Sequence, residues 1–133
     1  MQQVSPFLII EDEIAQHEYL KLLLQRLGLS ADFAGTIKEA EKLLRNTLLT
    51  NNPYKVIFLD IMLPDGTGRE ILHQLRTDPE FSMYAESKII MLTALDELKD
   101  VAGAFSKECD AYITKGMQKD KLIQILKKYK IIV

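Results

Sequence analysis

The chain has 133 residues, 47% of them apolar and 27% charged, which excludes an intrinsically disordered chain, and no apolar run approaches the roughly 20 residues that span a bilayer. Its formal net charge of −2 excludes the basic surface typical of nucleic-acid binding. One cysteine, Cys109, excludes an internal disulfide, and no signal-peptide pattern opens the chain, so we predict a cytoplasmic protein with no membrane partner.

The first part of the chain alternates apolar runs with helical patterns. The apolar run Phe7–Ile10 predicts a first strand that ends in acidic residues. Leucines then recur at helical spacing, and Gly28 follows them as a C-cap residue. A short second strand is predicted over residues 30–34. Thr36 stands three residues before a glutamate, which is capping-box spacing for a second helix that runs to about Leu48.

The central stretch is an apolar run that enters an aspartate. Residues 56–59 are continuously apolar, which is typical of a strand buried on both faces of a parallel sheet. Asp60 follows directly, and Pro64 and Gly66 mark a turn close behind it. Taken alone, Asp60 is explained equally well as the start of a turn or as a functional carboxylate.

The remainder of the chain repeats the alternation. Thr67 stands three residues before Glu70, which predicts a second capping box and a third helix. Residues 77–87 are polar and form a long connection. The other predicted elements are a fourth strand (residues 88–92), a fourth helix (96–105), a fifth strand (111–113) and a fifth helix with Leu122, Ile125, Leu126 and Tyr129 on one face.

Five strands that alternate with five helices predict one α/β domain over residues 1–133, with a doubly wound, five-stranded parallel sheet. Polar residues stand where the strands end: Glu11, Asp12, Asp60, Thr93 and Lys115. Because the carboxyl ends of parallel strands meet at one edge, we expect these side chains to lie together. Independent turn residues would not converge on this set, so a functional Asp60 becomes the stronger interpretation.

The predicted cluster has the chemistry of a phosphoryl-transfer site. Three carboxylates and one ammonium leave a charge of −2, which favours a hard cation such as Mg²⁺. An aspartate beside two cations is suited to attack phosphorus, and the Thr93 hydroxyl is suited to bind a phosphoryl oxygen. His17 and His73 lack ligand spacing and are interpreted as helix-surface residues.

Four segments resemble the receiver domain of bacterial two-component response regulators: residues 9–13 (IIEDE), 59–68 (LDIMLPDGTG), 91–94 (MLTA) and 110–115 (DAYITK). They match in order across residues 6–130, which the resemblance gives as the core of the domain. The resemblance implies a flavodoxin-like fold with strand order 2-1-3-4-5.

The resemblance also implies a role for each polar residue. Asp60 would be the phosphoacceptor, and Thr93 and Lys115 would sense the phosphoryl group. Tyr112 would report phosphorylation on the surface of the fourth helix, fifth strand and fifth helix. The Mg²⁺ ligands would be Glu11, Asp12, Asp60 and the backbone carbonyl of Met62.

The partners implied are a sensor histidine kinase or histidine phosphotransfer protein and a downstream effector protein or domain. The chain would be a signalling switch that catalyses its own phosphorylation and dephosphorylation, not an enzyme in the usual sense. Both a stand-alone regulator and a receiver from a longer protein fit the sequence.

Two departures and two alternatives accompany this interpretation. Gly116 stands where receivers usually have proline, so a cis peptide bond is not expected there, and Glu108 replaces a usual glycine, where a left-handed backbone would be strained. A binding module without the chemistry would have lost the acidic pair, Asp60 or Lys115, and all are present. A phosphatase or mutase with an aspartyl nucleophile would have an Asp-x-Asp motif, but Met62 stands where the second aspartate would be.

Overall fold

The computed structural model of the protein describes residues 6–94, 108–115 and 119–131. Five strands form one parallel sheet in the order β2-β1-β3-β6-β7, which confirms the predicted order 2-1-3-4-5. These strands are β1 (Phe7–Ile10), β2 (Ala31–Ala34), β3 (Val56–Asp60), β6 (Lys88–Thr93) and β7 (Ala111–Thr114). A separate antiparallel hairpin joins β4 (Met62–Leu63) to β5 (Gly66–Thr67).

The described part of the chain contains α1 (Ile14–Arg26), α2 (Ile37–Thr50), α3 (Gly68–Thr77), α4 (Lys119–Lys128) and a 3₁₀ helix (Pro79–Tyr84). Helix α4 is the fifth helix of the sequence prediction, because the predicted fourth helix, residues 96–105, lies outside the described residues. None of the described helices combines the length and apolarity needed to cross a membrane.

The sheet has a hydrophobic core on each face, as the doubly wound fold requires. Strands β1 and β3 are buried along their whole length, so their apolar runs serve both cores. Alternate strand residues pack on one side with α2 and α3, and the others pack with α1 and α4. This packing holds the strand ends rigidly, and any side chain that follows a strand starts from a fixed position.

Two of the predicted helix ends are confirmed by their capping geometry. Gly28 follows α1 with a φ of 76°, the left-handed conformation that glycine adopts without strain. The Thr36 hydroxyl accepts the Glu39 N–H at 3.0 Å and caps α2. This helix ends at Thr50, two residues beyond the predicted end, where Asn51 takes the left-handed position that asparagine tolerates.

The predicted capping box at the start of α3 is wrong. Thr67 is the N-cap residue, but its side chain accepts no capping hydrogen bond. Thr67 instead pairs with Met62 across the hairpin, and the Gly68 N–H donates to the Ile61 carbonyl at 2.7 Å. A Cβ at Gly68 would overlap the Asp60 carbonyl oxygen. The hairpin, and not a local side chain, therefore fixes where α3 begins.

The polar connection over residues 77–87 is more ordered than its composition indicates. It contains the 3₁₀ helix, and Phe81 and Tyr84 are buried. Arg76 holds this segment: its guanidinium donates to the Tyr84 carbonyl at 3.1 Å and to Asp110 Oδ2 at 2.9 Å. Phe81 and Tyr84 pack in the hydrophobic core beside α2 and α3, a long-range contact that local sequence patterns do not record.

Glu108 occupies its position without the strain that a glycine position would impose. Among the described residues, the non-glycine residues with positive φ are Asn51 and Lys130. The Glu108 carboxylate pairs with His73 Nδ1 at 3.1 Å, and its carbonyl accepts from Arg76 Nε at 2.9 Å. The second departure, Gly116, lies outside the described residues.

Candidate functional site

The carboxyl edge of the sheet gathers the polar residues that end the strands. Carboxylate oxygens of Glu11, Asp12 and Asp60 all lie within 4.8 Å of one another. Glu11 follows β1, Asp60 ends β3, Thr93 ends β6 and Lys115 follows β7. The parallel register of these strands brings their ends to one edge, as the sequence predicted.

Lys115 lies between the carboxylates. Its Nζ donates to Asp60 Oδ2 at 2.9 Å and lies 3.5 Å from Glu11 Oε2 and 3.6 Å from Glu13 Oε1. The Lys115 N–H donates to the Thr93 carbonyl at 2.8 Å, which fixes the start of the side chain. Partial burial lowers the pKa of Lys115. The hydrogen bond to Asp60 and the charges of the nearby carboxylates outweigh this effect, so the pKa is raised overall. Lys115 is therefore a permanent cation in this cleft.

Glu11 is completely buried, which is rare for a carboxylate. Its Oε1 accepts the Glu13 N–H at 2.9 Å, whereas Oε2 has no hydrogen-bond partner in the described part of the chain. Burial raises the pKa of Glu11 to about 7, although the Glu13 N–H lowers it, and the negative charge of Asp60 raises it further. An ionised Glu11 therefore needs more positive charge than Lys115 alone supplies.

The raised pKa predicts how Glu11 affects stability. Between pH 4.5, its ordinary pKa, and about 7, the folded protein keeps a proton that the unfolded chain loses. The free-energy cost of ionising the buried Glu11 is absent below this window and complete above it. Glu11→Gln should therefore stabilise the metal-free protein by about 3 kcal/mol at about pH 8 and by nearly nothing at about pH 4. Urea unfolding in the presence of a chelator measures both values.

An exposed glutamate provides the control for this experiment. Glu86→Gln makes the same chemical change on the surface and should leave the free energy of unfolding nearly unchanged at both pH values. A Glu11→Gln variant that is less stable than the wild type at the higher pH, or equally stabilised at both, would contradict the raised pKa.

The two predicted switch residues lie on neighbouring strands. Thr93 is fully buried, and its hydroxyl donates to the Ala94 carbonyl at 3.0 Å. Tyr112 lies on β7, opposite Met91 of β6, and 38% of its surface is exposed. The structure thus brings Glu11, Asp12, Asp60 and Lys115 together, and leaves the Thr93 hydroxyl bound to its own strand end.

Met62 lies beside Asp60. Its N–H donates to Asp60 Oδ1 at 3.3 Å, and its side chain is 57% exposed in the hairpin. The sequence interpretation assigned no role to Glu13, which lies near Lys115, or to Asp65, which binds the start of α2. The sequence did contain a signal for each residue: Glu13 belongs to an acidic triplet, and Asp65 belongs to a Pro-Asp-Gly turn.

The donor set fits a hard divalent cation. Its side-chain donors are three carboxylates, and one of them, Glu11, has an oxygen that accepts no hydrogen bond within the described residues. Oxygen-only ligands select Mg²⁺, Ca²⁺ or Mn²⁺ over softer metals. Three carboxylates and Lys115 leave a charge of −2 when Glu11 is ionised, which one such ion neutralises.

The fold and the acidic edge together define a flavodoxin-like α/β domain with a carboxylate cluster around Asp60 that could hold a cation. Comparison with known families agrees with this class. The model of the response regulator receiver domain matches residues 7–127, and the chain belongs to this family.

Individual proteins and structures show the same relationship. The sensory transduction protein LytT of Bacillus anthracis is 32% identical over 123 residues, which are 92% of this chain and 46% of that protein. A CheY-like receiver domain from Methylobacillus flagellatus is 28% identical, with a TM-score of 0.76 over 96% of this chain and 99% of that one. The response regulator TrrA from Thermotoga maritima, solved in complex with Mg(2+)-BeF, is also 28% identical, with a TM-score of 0.74 over 95% of this chain and 99% of that one. The chain spans about half the length of the curated relatives it matches.

Proposed function

We propose that the chain is a phosphoacceptor receiver in which Asp60 accepts a phosphoryl group in a Mg²⁺-dependent reaction. The donor is the phosphohistidine of a sensor histidine kinase or a histidine phosphotransfer protein. One observation carries the proposal: the Asp60 carboxylate lies 2.9 Å from the Lys115 ammonium and beside two further carboxylates, Glu11 and Asp12. This arrangement combines a nucleophile with the positive charge that phosphoryl transfer needs.

In the proposed reaction, a carboxylate oxygen of Asp60 forms a bond to phosphorus while the P–N bond to the donor histidine breaks. The imidazole leaves and takes up a proton. A Mg²⁺ ion held by Glu11, Asp12, Asp60 and the Met62 carbonyl would supply positive charge to the phosphoryl oxygens. Lys115, which binds Asp60 Oδ2, then binds a phosphoryl oxygen.

The proposed switch starts at Thr93. Its hydroxyl leaves the Ala94 carbonyl and donates to the phosphoryl oxygen, which exists only after the reaction. Tyr112, on the neighbouring strand, turns toward the vacated space and changes the surface of β7 and α4. We propose that this surface, with residues 96–105, presents the signal to an effector protein or domain, and that the chain itself binds no nucleic acid. The cytoplasmic location stays a prediction from the sequence.

Metal dependence tests the proposal. With acetyl phosphate as donor, the wild type should gain the mass of one phosphoryl group in Mg²⁺ or Mn²⁺ and none after treatment with a chelator. The cation both relieves the repulsion between the carboxylates and receives the donor. Intact-mass spectrometry measures the labelled fraction. Equal labelling in chelator would contradict the proposed site, and an absence of labelling in both buffers would favour a binding module without the chemistry.

The phosphorylated state should be long-lived because two apolar residues are expected to border the phosphoryl position. Met62 stands two residues after Asp60, and Leu95, outside the described residues, stands two after Thr93. Neither side chain can orient the attacking water that hydrolysis needs. We expect Met62→Asn combined with Leu95→Glu to speed loss of phosphate by about tenfold, or ~1.4 kcal/mol of barrier.

Release of phosphate after removal of excess donor measures this rate. Leu49→Asn, which changes an 87% exposed leucine of α2, is the control and should keep the wild-type lifetime. A double variant that accepts phosphate normally and loses it no faster than the wild type would show that these side chains do not shield the phosphoryl group.

A further inference from the structure

Asp65 lies at the tip of the β4–β5 hairpin, and its side chain binds the start of another element. Its Oδ1 accepts the Ile37 N–H at 2.8 Å, and its Oδ2 accepts the Lys38 N–H at 3.1 Å. We propose that Asp65 is a positioning residue that clamps the hairpin to the N-terminus of α2 and thereby holds Met62 and Asp60 in place for the divalent cation. The inference rests on the proposed function and names a further residue for it.

The clamp uses donors that a helix leaves free. Ile37 and Lys38 are the first two residues of α2, and their N–H groups have no partner within the helix. A carboxylate that accepts both also opposes the positive end of the helix dipole. These bonds lower the pKa of Asp65, that to Ile37 most, so the group stays ionised near neutral pH.

Helix α2 already has a cap from its own chain. The Thr36 hydroxyl binds the Glu39 N–H at 3.0 Å, from a residue directly before the helix. Asp65, by contrast, reaches Ile37 from 28 positions along the chain. Both bonds satisfy helix donors, but only the bond from Asp65 connects α2 to the hairpin. Thr36 is therefore a local helix cap, whereas Asp65 is a clamp between two elements.

The hairpin needs an outside anchor. It has two residue pairs, Met62 with Thr67 and Leu63 with Gly66, and a two-stranded hairpin of this size is marginal by itself. Gly66 packs directly on α2, because a Cβ there would lie 2.5 Å from Ile37 Cδ1. Contacts of the hairpin tip with α2 therefore hold the end that is farthest from the sheet.

The hairpin in turn determines the geometry around Asp60. The Met62 N–H donates to Asp60 Oδ1 at 3.3 Å, and the Gly68 N–H closes the base of the hairpin on the Ile61 carbonyl at 2.7 Å. Without the clamp, the Met62 backbone would gain freedom while the carboxylates stayed in place. Groups that orient metal ligands typically contribute about 10- to 100-fold to metal affinity.

The test compares Asp65→Ala with Thr36→Ala, since each removes one cap from the same helix. Mg²⁺ affinity is measured by calorimetric titration in about 1 M KCl, where a Debye length of about 3 Å suppresses the long-range effect of the lost charge. We expect Asp65→Ala to weaken Mg²⁺ binding by about tenfold, as for other groups that orient metal ligands, and Thr36→Ala to leave it within about twofold of the wild type. Asp65→Asn, which keeps one acceptor oxygen, should fall between Asp65→Ala and the wild type.

Amide hydrogen exchange in the metal-free protein provides a second readout. The amides of residues 62–67 should exchange faster in Asp65→Ala than in Thr36→Ala, because only the first variant releases the hairpin. Equal Mg²⁺ affinity and equal exchange in the two variants would overturn the clamp alone, provided that the wild type binds Mg²⁺. A wild type that binds no Mg²⁺ would overturn the proposed function itself.

Discussion

Asp60→Asn should abolish phosphorylation by acetyl phosphate, with a loss of at least about 100-fold in rate, or ~2.7 kcal/mol of barrier. Asparagine keeps the shape of the side chain and its place at the end of β3, but its amide is not a nucleophile. No other carboxylate in the described cluster has the Lys115 ammonium within 2.9 Å. The labelled fraction in an intact-mass time course gives the rate.

Asp78→Asn is the matched control. Asp78 caps the 3₁₀ helix through the Glu80 N–H at 2.9 Å, at the opposite end of α3 from the site, and asparagine can accept the same bond. The Asp78→Asn variant should be phosphorylated at the wild-type rate. Unchanged labelling of Asp60→Asn would show that another group accepts the phosphoryl group.

Lys115→Ala should remove most of the structural response to activation while Mg²⁺ binding persists. A ligand shifts a two-state protein only through contacts that differ between the states. The ammonium, which binds Asp60 Oδ2, is proposed to bind the group that appears only on activation. Its loss leaves three carboxylates without a competing cation, so Mg²⁺ affinity should hold or increase. NMR spectra with and without beryllofluoride measure the response around Tyr112.

Thr93→Ala should lose the same response, since its hydroxyl is the second group proposed to bind the phosphoryl oxygens. Lys88→Ala is the control, because Lys88 begins β6 at the opposite edge of the sheet and lies 3.9 Å from Asp110. Wild-type shifts around Tyr112 in either Lys115→Ala or Thr93→Ala would contradict the role assigned to that residue.

Local patterns were sufficient for the main elements of the fold. The apolar runs before Glu11 and Asp60 are buried strands, because continuous apolar character leaves a strand no solvent-facing side. The role of Thr36 as the cap of α2 was equally predictable, since its hydrogen-bond partner lies only three positions away. The convergence of Glu11, Asp60 and Lys115 followed from the parallel sheet, while the strand order came from family resemblance.

Interactions between distant segments could not be predicted from local sequence patterns. Thr67 has capping-box spacing, but its hairpin partner Met62 and the contact of Gly68 with Ile61 decide how α3 begins. The bond from Asp65 to Ile37 spans 28 positions and leaves no periodic signal. Thr93, although expected at the phosphoryl group, has its hydroxyl bound to the adjacent carbonyl, and its role stays a prediction.

Direct identification of the phosphorylated residue tests the central claim most directly. The chain is phosphorylated with acetyl phosphate and Mg²⁺ and then treated with borohydride, which reduces an aspartyl phosphate to homoserine. Peptide mass spectrometry then locates the altered residue. We predict homoserine at position 60 in a chelator-sensitive reaction. Reduction at Asp12, Asp65 or any other carboxylate, with Asp60 intact, would contradict this assignment.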